Sequence, residues 1–178
     1  MSDLRNSNLN ADQTEWTVEN SAVLYGLDRW GKDYFSINSA GNINISPKGD
    51  TDEKLDLMVL LKELNGRNLK APILLRFDDI LEHRIQKLHE TFKDAIAKYQ
   101  YKATYKGVFP IKCNHQRHVV EEIVSIGQQW HFGLEAGSKA ELLIALSLLN
   151  DPEALLICNG YKDKRYIETA ILARQLGR

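Results

Sequence analysis

The rhythm of apolar and polar positions in this chain changes near Leu69. Between Leu24 and Ser46 the segments are short and alternating, LYGLDRWGKDYFSINSAGNINIS, punctuated by Gly26, Gly31 and the run Ser39-Ala40-Gly41-Asn42. That pattern predicts a β-hairpin pairing YFSIN with NINIS. Pro47 to Asp50 reads as a turn, and TDEKLDLMVLLKELNGR as a helix capped by Thr51 or Asp52, with Gly66 following its end. Ahead of these, residues 1–20 offer little to bury beyond Trp16 and Val18 and read as a mobile, disordered polar arm, so that the fold is expected to start near Ala22.

Beyond Leu69, continuous apolar runs alternate with helical periodicity. PILLRF (72–77), KGVFPIKCN (106–114), HFGLEAG (131–137) and ALLICNG (154–160) predict strands. A helix follows each. In the first, Leu81, Ile85, Leu88, Phe92, Ala95 and Tyr99 recur at helical spacing; the second runs through Val119, Val120, Ile123 and Val124. The third opens with Ser138 and Glu141 in capping-box relation, and in the fourth Tyr166, Ile167, Ala170 and Ile171 share a face. Four strand-then-helix units require parallel strands and right-handed crossovers, so the class is α/β, as a doubly wound sheet or a (β/α) barrel. A complete barrel takes about 250 residues, and the units here run only from Pro72 to Arg178. The barrel reading is therefore of a half barrel, whose open edges are expected to give poor solubility or oligomers when it stands alone. The expected divisions are residues 1–20 as arm, 21–70 as hairpin and helix lead-in, and 71–178 as half barrel.

Composition narrows the partners. Of 178 residues, 23 are basic and 24 acidic, which leaves no field to attract nucleic acid or an anionic membrane. No apolar run is long enough to span a bilayer and the polar start lacks a signal peptide's core, so a cytoplasmic address is expected. Cys113 and Cys158 fall in expected strands without a CxxC spacing, and read as buried, reduced thiols. Neither GxGxxG nor GxxxxGK[ST] occurs, which counts against a nucleotide enzyme.

Ligands of parallel α/β folds bind at the carboxyl ends of the strands. Alternation in KGVFPIKC places Phe109, Ile111 and Cys113 on one face and Val108, Pro110 and Lys112 on the other, so Lys112 is expected to face the barrel axis. Pro110 cannot donate to a ladder and predicts an irregular strand. Glu135 shares a face with Gly133, and Asn159 closes the fourth strand. A lysine and a glutamate so placed read either as a buried ion pair, rarely net stabilising, or as a functional amine. In a partly dry pocket such an amine loses some preference for its charged form and attacks an aldehyde, for which pyridoxal phosphate is the obvious partner. Glu141 reads first as a capping partner. His115 and His118 form a possible pair on one helix face but a poor metal site, His83 and His89 are expected to face solvent, and KDKR (162–165) to form an exposed cap.

GVFPIKCNHQRHVVEEIV, FGLEAGSKAELLIAL and LICNGYKDKRYIETAIL resemble, in order and spacing, the amino-terminal part of the biosynthetic arginine decarboxylases of the alanine-racemase-like pyridoxal-phosphate class; WGKDYFSIN, NINISPKG and PILLRFDDILEHRI match upstream. The resemblance implies about the first four βα units of a (β/α)8 TIM barrel after a small antiparallel β element, an added β domain, and decarboxylation of L-arginine to agmatine and carbon dioxide on a route to polyamines such as spermidine. It makes Lys112, the lysine of PIK-x-N, the catalytic residue that carries the cofactor, and puts Glu135 beside it. Glu141 matches an acid near the cofactor, and Asn159 completes the cofactor-binding candidates. Homo-oligomers and magnesium come with the family, although nothing in this sequence looks like a magnesium site. The family's later Gly-rich phosphate clamp, acid on the pyridine nitrogen and carboxyl-terminal cysteine at a dimer interface have no counterpart here. Weak cofactor binding and no turnover by these 178 residues alone are therefore expected. The alternatives are a diaminopimelate- or ornithine-type decarboxylase, a small pyridoxal-phosphate-binding homeostasis protein, or a non-catalytic remnant acting through a full-length partner.

Overall fold

The computed structural model describes residues 16–49 and 53–177. The expected caps Thr51 and Asp52, Asp50 of the turn, and residues 1–15 of the expected arm lie outside the described residues. The chain divides into two compact units, Met1–Ile73 and Leu74–Arg178.

In the first unit, polar residues expected to belong to the arm instead start a helix, α1 (Val18–Leu24). Thr17 caps it: its backbone N–H donates to Asn20 Oδ1 at 2.9 Å while Asn20 N donates back to Thr17 Oγ1 at 3.4 Å. This reciprocal pair satisfies donors that a helix start otherwise leaves open. A short α2 (Leu27–Trp30) follows, and then the expected hairpin: β1 (Phe35–Ile37) pairs antiparallel with β2 (Ile43–Ile45), Phe35 opposite Ile45 and Ile37 opposite Ile43. A third strand, β3 (Leu55–Asp56), joins β2 and takes residues that were expected to be helical. The helix α3 (Leu57–Gly66) therefore starts later, with Asp56 as its cap. Asp56 Oδ1 accepts from the backbone of Met58 and Val59, and Oδ2 from Asn38 and Asn42 at 2.8 and 3.0 Å. One carboxylate thus ties the hairpin turn to the helix start. The Asn42 hydrogen bond and the other donors hold it below the usual carboxylate range.

The second unit alternates helix and strand: α4 (Asp78–Lys98), β4 (Val108–Pro110), α5 (Arg117–Gly127), β5 (Gly133–Ala136), α6 (Lys139–Leu148), β6 (Leu156–Cys158) and α7 (Lys164–Gln175). The three strands are parallel in the order β4-β5-β6, with Phe109 beside Leu134 and Glu135 beside both Pro110 and Ile157. The expected first strand is not formed. PILLRF forms no β ladder among the described residues, and Leu74 within it is 76% exposed. An apolar run becomes a strand only where a neighbour supplies its ladder, so three parallel strands are present among the described residues where four were expected.

One face of this sheet packs on helices. Ile111, Val120, Leu134 and Ala145 form a fully buried cluster flanked by Phe109 and Leu156. Ile85, Ile123 and Phe132 bring in α4; Ala136, Leu142 and Tyr166 bring in α7. Each large apolar side chain so buried contributes about 1.5–3 kcal/mol. On α7 the packed stripe is Tyr166, Ala170 and Ala173, while Ile167 and Ile171, expected on the same face, remain 40% and 54% exposed. They lie one position off the i, i+4, i+7 line. Ser138 caps α6 as its spacing predicts, accepting from Glu141 N at 3.3 Å. Ser138→Ala is expected to cost about 1 kcal/mol, read as a lower denaturation midpoint; an unchanged midpoint would show that Glu141 caps the helix unaided.

Candidate functional site

β4 ends at Pro110, which has no N–H to continue the ladder. The chain then makes a single 3-10 turn, Ile111–Cys113, so the strand is irregular where Pro110 predicts it. Ile111 turns into the core and is fully buried, whereas Lys112 and Cys113 swing outward. Two expectations need correcting here. Lys112 belongs to a turn rather than to the strand, with its side chain 59% exposed; Cys113 is exposed rather than buried, and Cys158 only half-buried.

Glu135, near the end of β5 and 16% exposed in its side chain, meets the lysine. Its Oε1 accepts from Lys112 Nζ at 2.8 Å and from Asn159 Nδ2 at 3.4 Å. The carboxyl ends of all three strands thus deliver one group each to a single point. The Glu135 hydrogen bond and then its charge push the Lys112 ammonium above the usual lysine range; desolvation opposes this, and Cys113 and Glu141 add smaller contributions. Glu135 is held below the usual carboxylate range, chiefly by the Lys112 hydrogen bond. The amine is therefore held more firmly in its charged form, opposite to the depression a dry pocket would produce.

Glu141 stands apart from that point. Its Oε2 accepts from Gly137 N at 2.7 Å and its Oε1 from the Ser138 hydroxyl at 3.0 Å, so its carboxylate is engaged at the start of α6 and reaches Lys112 only through its field. Asp163 does the same for α7, accepting from Tyr166 N at 2.7 Å. Two residues at this end went unnoticed in the sequence. Arg76 donates from Nη2 to Gln116 Oε1, at the start of α5; its position behind PILLR's apolar residues, like that of Lys112 behind GVFPI, was the available signal. Tyr166 reaches the end of β5, and only its place on the apolar face of α7 marked it.

The histidines fall elsewhere. His115 precedes α5, so it shares no helix face with His118. His89 does not face solvent: it is 7% exposed, stacked on Trp130 and flanked by Tyr105 and Phe132. It lines a cavity of about 570 Å³ with Tyr105 and Trp130, before the strands begin and away from Lys112. Among the described residues no group of three or more His, Cys, Asp or Glu side chains is arranged to hold a metal, and no helix is long and apolar enough to cross a membrane.

Comparison with known proteins bears on this geometry. The chain is 69% identical over 166 residues to a biosynthetic arginine decarboxylase of Prochlorococcus marinus, covering 93% of this chain and 26% of that protein. It is 60% identical over 164 residues to the biosynthetic arginine decarboxylase of Thermosynechococcus vestitus, covering 92% of this chain and 26% of that one. The chain thus spans about a quarter of the length of the curated relatives it matches. The crystal structure of the biosynthetic arginine decarboxylase from Campylobacter jejuni superposes with a TM-score of 0.77 at 34% identity, over 86% of this chain and 25% of that one. Residues 82–175, more than half of the chain and including Lys112, Glu135 and Asn159, match the family model of the pyridoxal-dependent decarboxylase pyridoxal-binding domain, and the chain belongs to that family.

Proposed function

We propose that this chain carries the lysine-bearing side of a pyridoxal-phosphate-dependent arginine decarboxylase, that the reaction is L-arginine to agmatine and carbon dioxide, and that its βα units belong to a (β/α)8 barrel. The observation that carries this is the Lys112 ammonium 2.8 Å from Glu135 at the carboxyl end of a parallel sheet. The names of the relatives, arginine decarboxylases at 60–69% identity, support the substrate.

The residues fit one end of the cofactor. An aldehyde needs a reachable primary amine with a proton acceptor beside it, and Lys112 with Glu135 supplies both. The amino ends of α6 and α7, which would attract a phosphate, are already closed by Glu141 and Asp163, so phosphate binding is not assigned to them. When bound, pyridoxal phosphate supplies an electron sink for the carbon that loses carbon dioxide. The chain's own contribution is to present the amine and control its proton. Because each partner stabilises the other's charge, the free amine is scarce at neutral pH, and Glu135 Oε1 is the nearest base for its proton. Asn159, bonded to the same oxygen, steadies the carboxylate in that position. Oligomerisation and magnesium come with the family resemblance, and no described residue is assigned to either.

The test is reductive trapping. Incubation with pyridoxal phosphate over a rising pH series, reduction with borohydride and peptide mapping should place an adduct on Lys112 whose share, measured against exposed Lys62 and Lys93, climbs as alkali strips the proton that Glu135 holds on the ammonium. A share at Lys112 that stays flat across the series would overturn the assignment.

A further inference from the structure

We propose that Tyr166 is a positioning residue for Lys112: its hydroxyl holds the carbonyl that joins the ends of β5 and β6, and thereby keeps Glu135 and Asn159 against the lysine. This rests on the reading of Lys112 given above.

The Ala136 carbonyl is a node. It accepts from Asn159 N at 3.0 Å and from the Tyr166 hydroxyl at 2.8 Å. Ala136 directly follows Glu135 in β5, and Asn159 directly follows β6. A single oxygen therefore fixes the backbone beside both side chains that meet at Lys112. The tyrosine is built to hold it. Its side chain is 1% exposed, it packs with Ala136 and Leu142, and its own N–H is pinned by Asp163. A buried hydroxyl of this kind is kept where a partner needs a donor. Burial, the Cys158 thiol and the charges of Glu141 and Glu135 all push its ionisation upward, so it remains a donor throughout the working range. Packing alone would be served as well by phenylalanine; the oxygen is the feature that packing leaves unexplained.

Without the hydroxyl, the node keeps only the Asn159 N–H, the end of β5 loosens, and the Lys112–Glu135 bond becomes longer on average. The ammonium then loses part of its electrostatic support. The experiment is trace reductive methylation with formaldehyde and borohydride at about pH 8, scored by mass spectrometry as Lys112 label relative to the exposed Lys62. Tyr166→Phe should raise that ratio about threefold, within the range of one lost neutral hydrogen bond. Glu135→Gln should raise it at least as far, and adding Tyr166→Phe to Glu135→Gln should raise it no further, because both act through the same contact. Ala173→Gly, which loosens α7 without touching the hydroxyl, should leave the ratio alone. If Tyr166→Phe does not fold, Asp163→Ala, which frees the turn carrying Tyr166, should raise the ratio in its place. An unchanged ratio in the folded Tyr166→Phe protein, equal changes in Ala173→Gly, or full additivity with Glu135→Gln would each overturn the proposal. Methylation needs no pyridoxal phosphate, so this result is independent of whether Lys112 traps the cofactor.

Discussion

Gly133→Ala is expected to disrupt the parallel sheet. A Cβ at Gly133 would stand 2.0 Å from the Leu155 carbonyl oxygen and 2.8 Å from the Leu155 carbonyl carbon and nitrogen, all backbone atoms that cannot rotate away. The same oxygen accepts from Leu134 N at 3.0 Å, the hydrogen bond that leads β5 into its pairing with β6. Moving Leu155 to make room breaks that bond; moving Gly133 instead pulls its N–H from the Gly107 carbonyl, 2.9 Å away on the other side. Either response disturbs the central strand, so relaxation is poor and the cost should reach about 3–5 kcal/mol, the upper part of what single substitutions do. Set against a typical domain stability of about 5–15 kcal/mol, much of the fold's margin is lost. Urea denaturation followed by circular dichroism should show the loss. A Gly133→Ala protein with the parent's midpoint would mean that β5 and β6 do not approach as described.

Gly133 also shows what the sequence makes legible. Its position opposite Leu134 follows from alternation, but that a neighbouring backbone lies on it does not, because close approach is a property of two strands and the pattern describes one. The same distinction runs through the rest of the chain. The hairpin of β1 and β2, the cap at Ser138 and the alternation of helix and strand are set by local chemistry and could be read. PILLRF looks like a strand by content yet finds no strand to pair with among the described residues, and Asp56 displaces the expected helix caps because Asn38 and Asn42, distant in sequence, converge on it. At the site, the strand ends pointed to Lys112, Glu135 and Asn159, which the fold brings together through one carboxylate oxygen. Alternation puts Lys112 on the dry side only if the ladder runs on through Pro110; it stops there, and the lysine, turned outward, is held in its charged form by Glu135. Tyr166 could not be recognised, since nothing local announces that its hydroxyl reaches a carbonyl thirty residues away.

His89→Phe should make the protein more stable and should remove a loss of stability on mild acidification. In the parent chain the imidazole is enclosed by rings from three segments: Trp130 stacked at 5.2 Å, Tyr105 at 5.1 Å and Phe132 edge-on at 5.4 Å between centroids. Phe132 has no freedom to yield, because Cβ atoms added at Gly107 or Gly127 would strike it at 2.3 and 2.5 Å. His89 Nε2 is buried there with no hydrogen-bond partner among the described residues. Burial pushes its ionisation below the usual histidine range, so the folded protein takes up the proton less readily than the unfolded chain. The histidine's handicap is accordingly absent above about pH 6.5, the ordinary value, and grows as pH falls from there toward the lower folded value. Glu82 and Glu90 on α4 could attract the imidazolium and Lys93 repel it, but all three are exposed and screened. Asp151, held below the usual carboxylate range first by the Glu153 N–H and then by the His131 ring at 2.8 Å, loses its contribution only in stronger acid. Phenylalanine keeps the ring stack and removes the unpaired nitrogen, worth about 1–2 kcal/mol at neutral pH. Denaturation midpoints measured from about pH 7.5 to 5 should fall for the parent and stay closer to level for His89→Phe. If both proteins lose stability in parallel, His89 is solvated and the aromatic enclosure is not closed in solution.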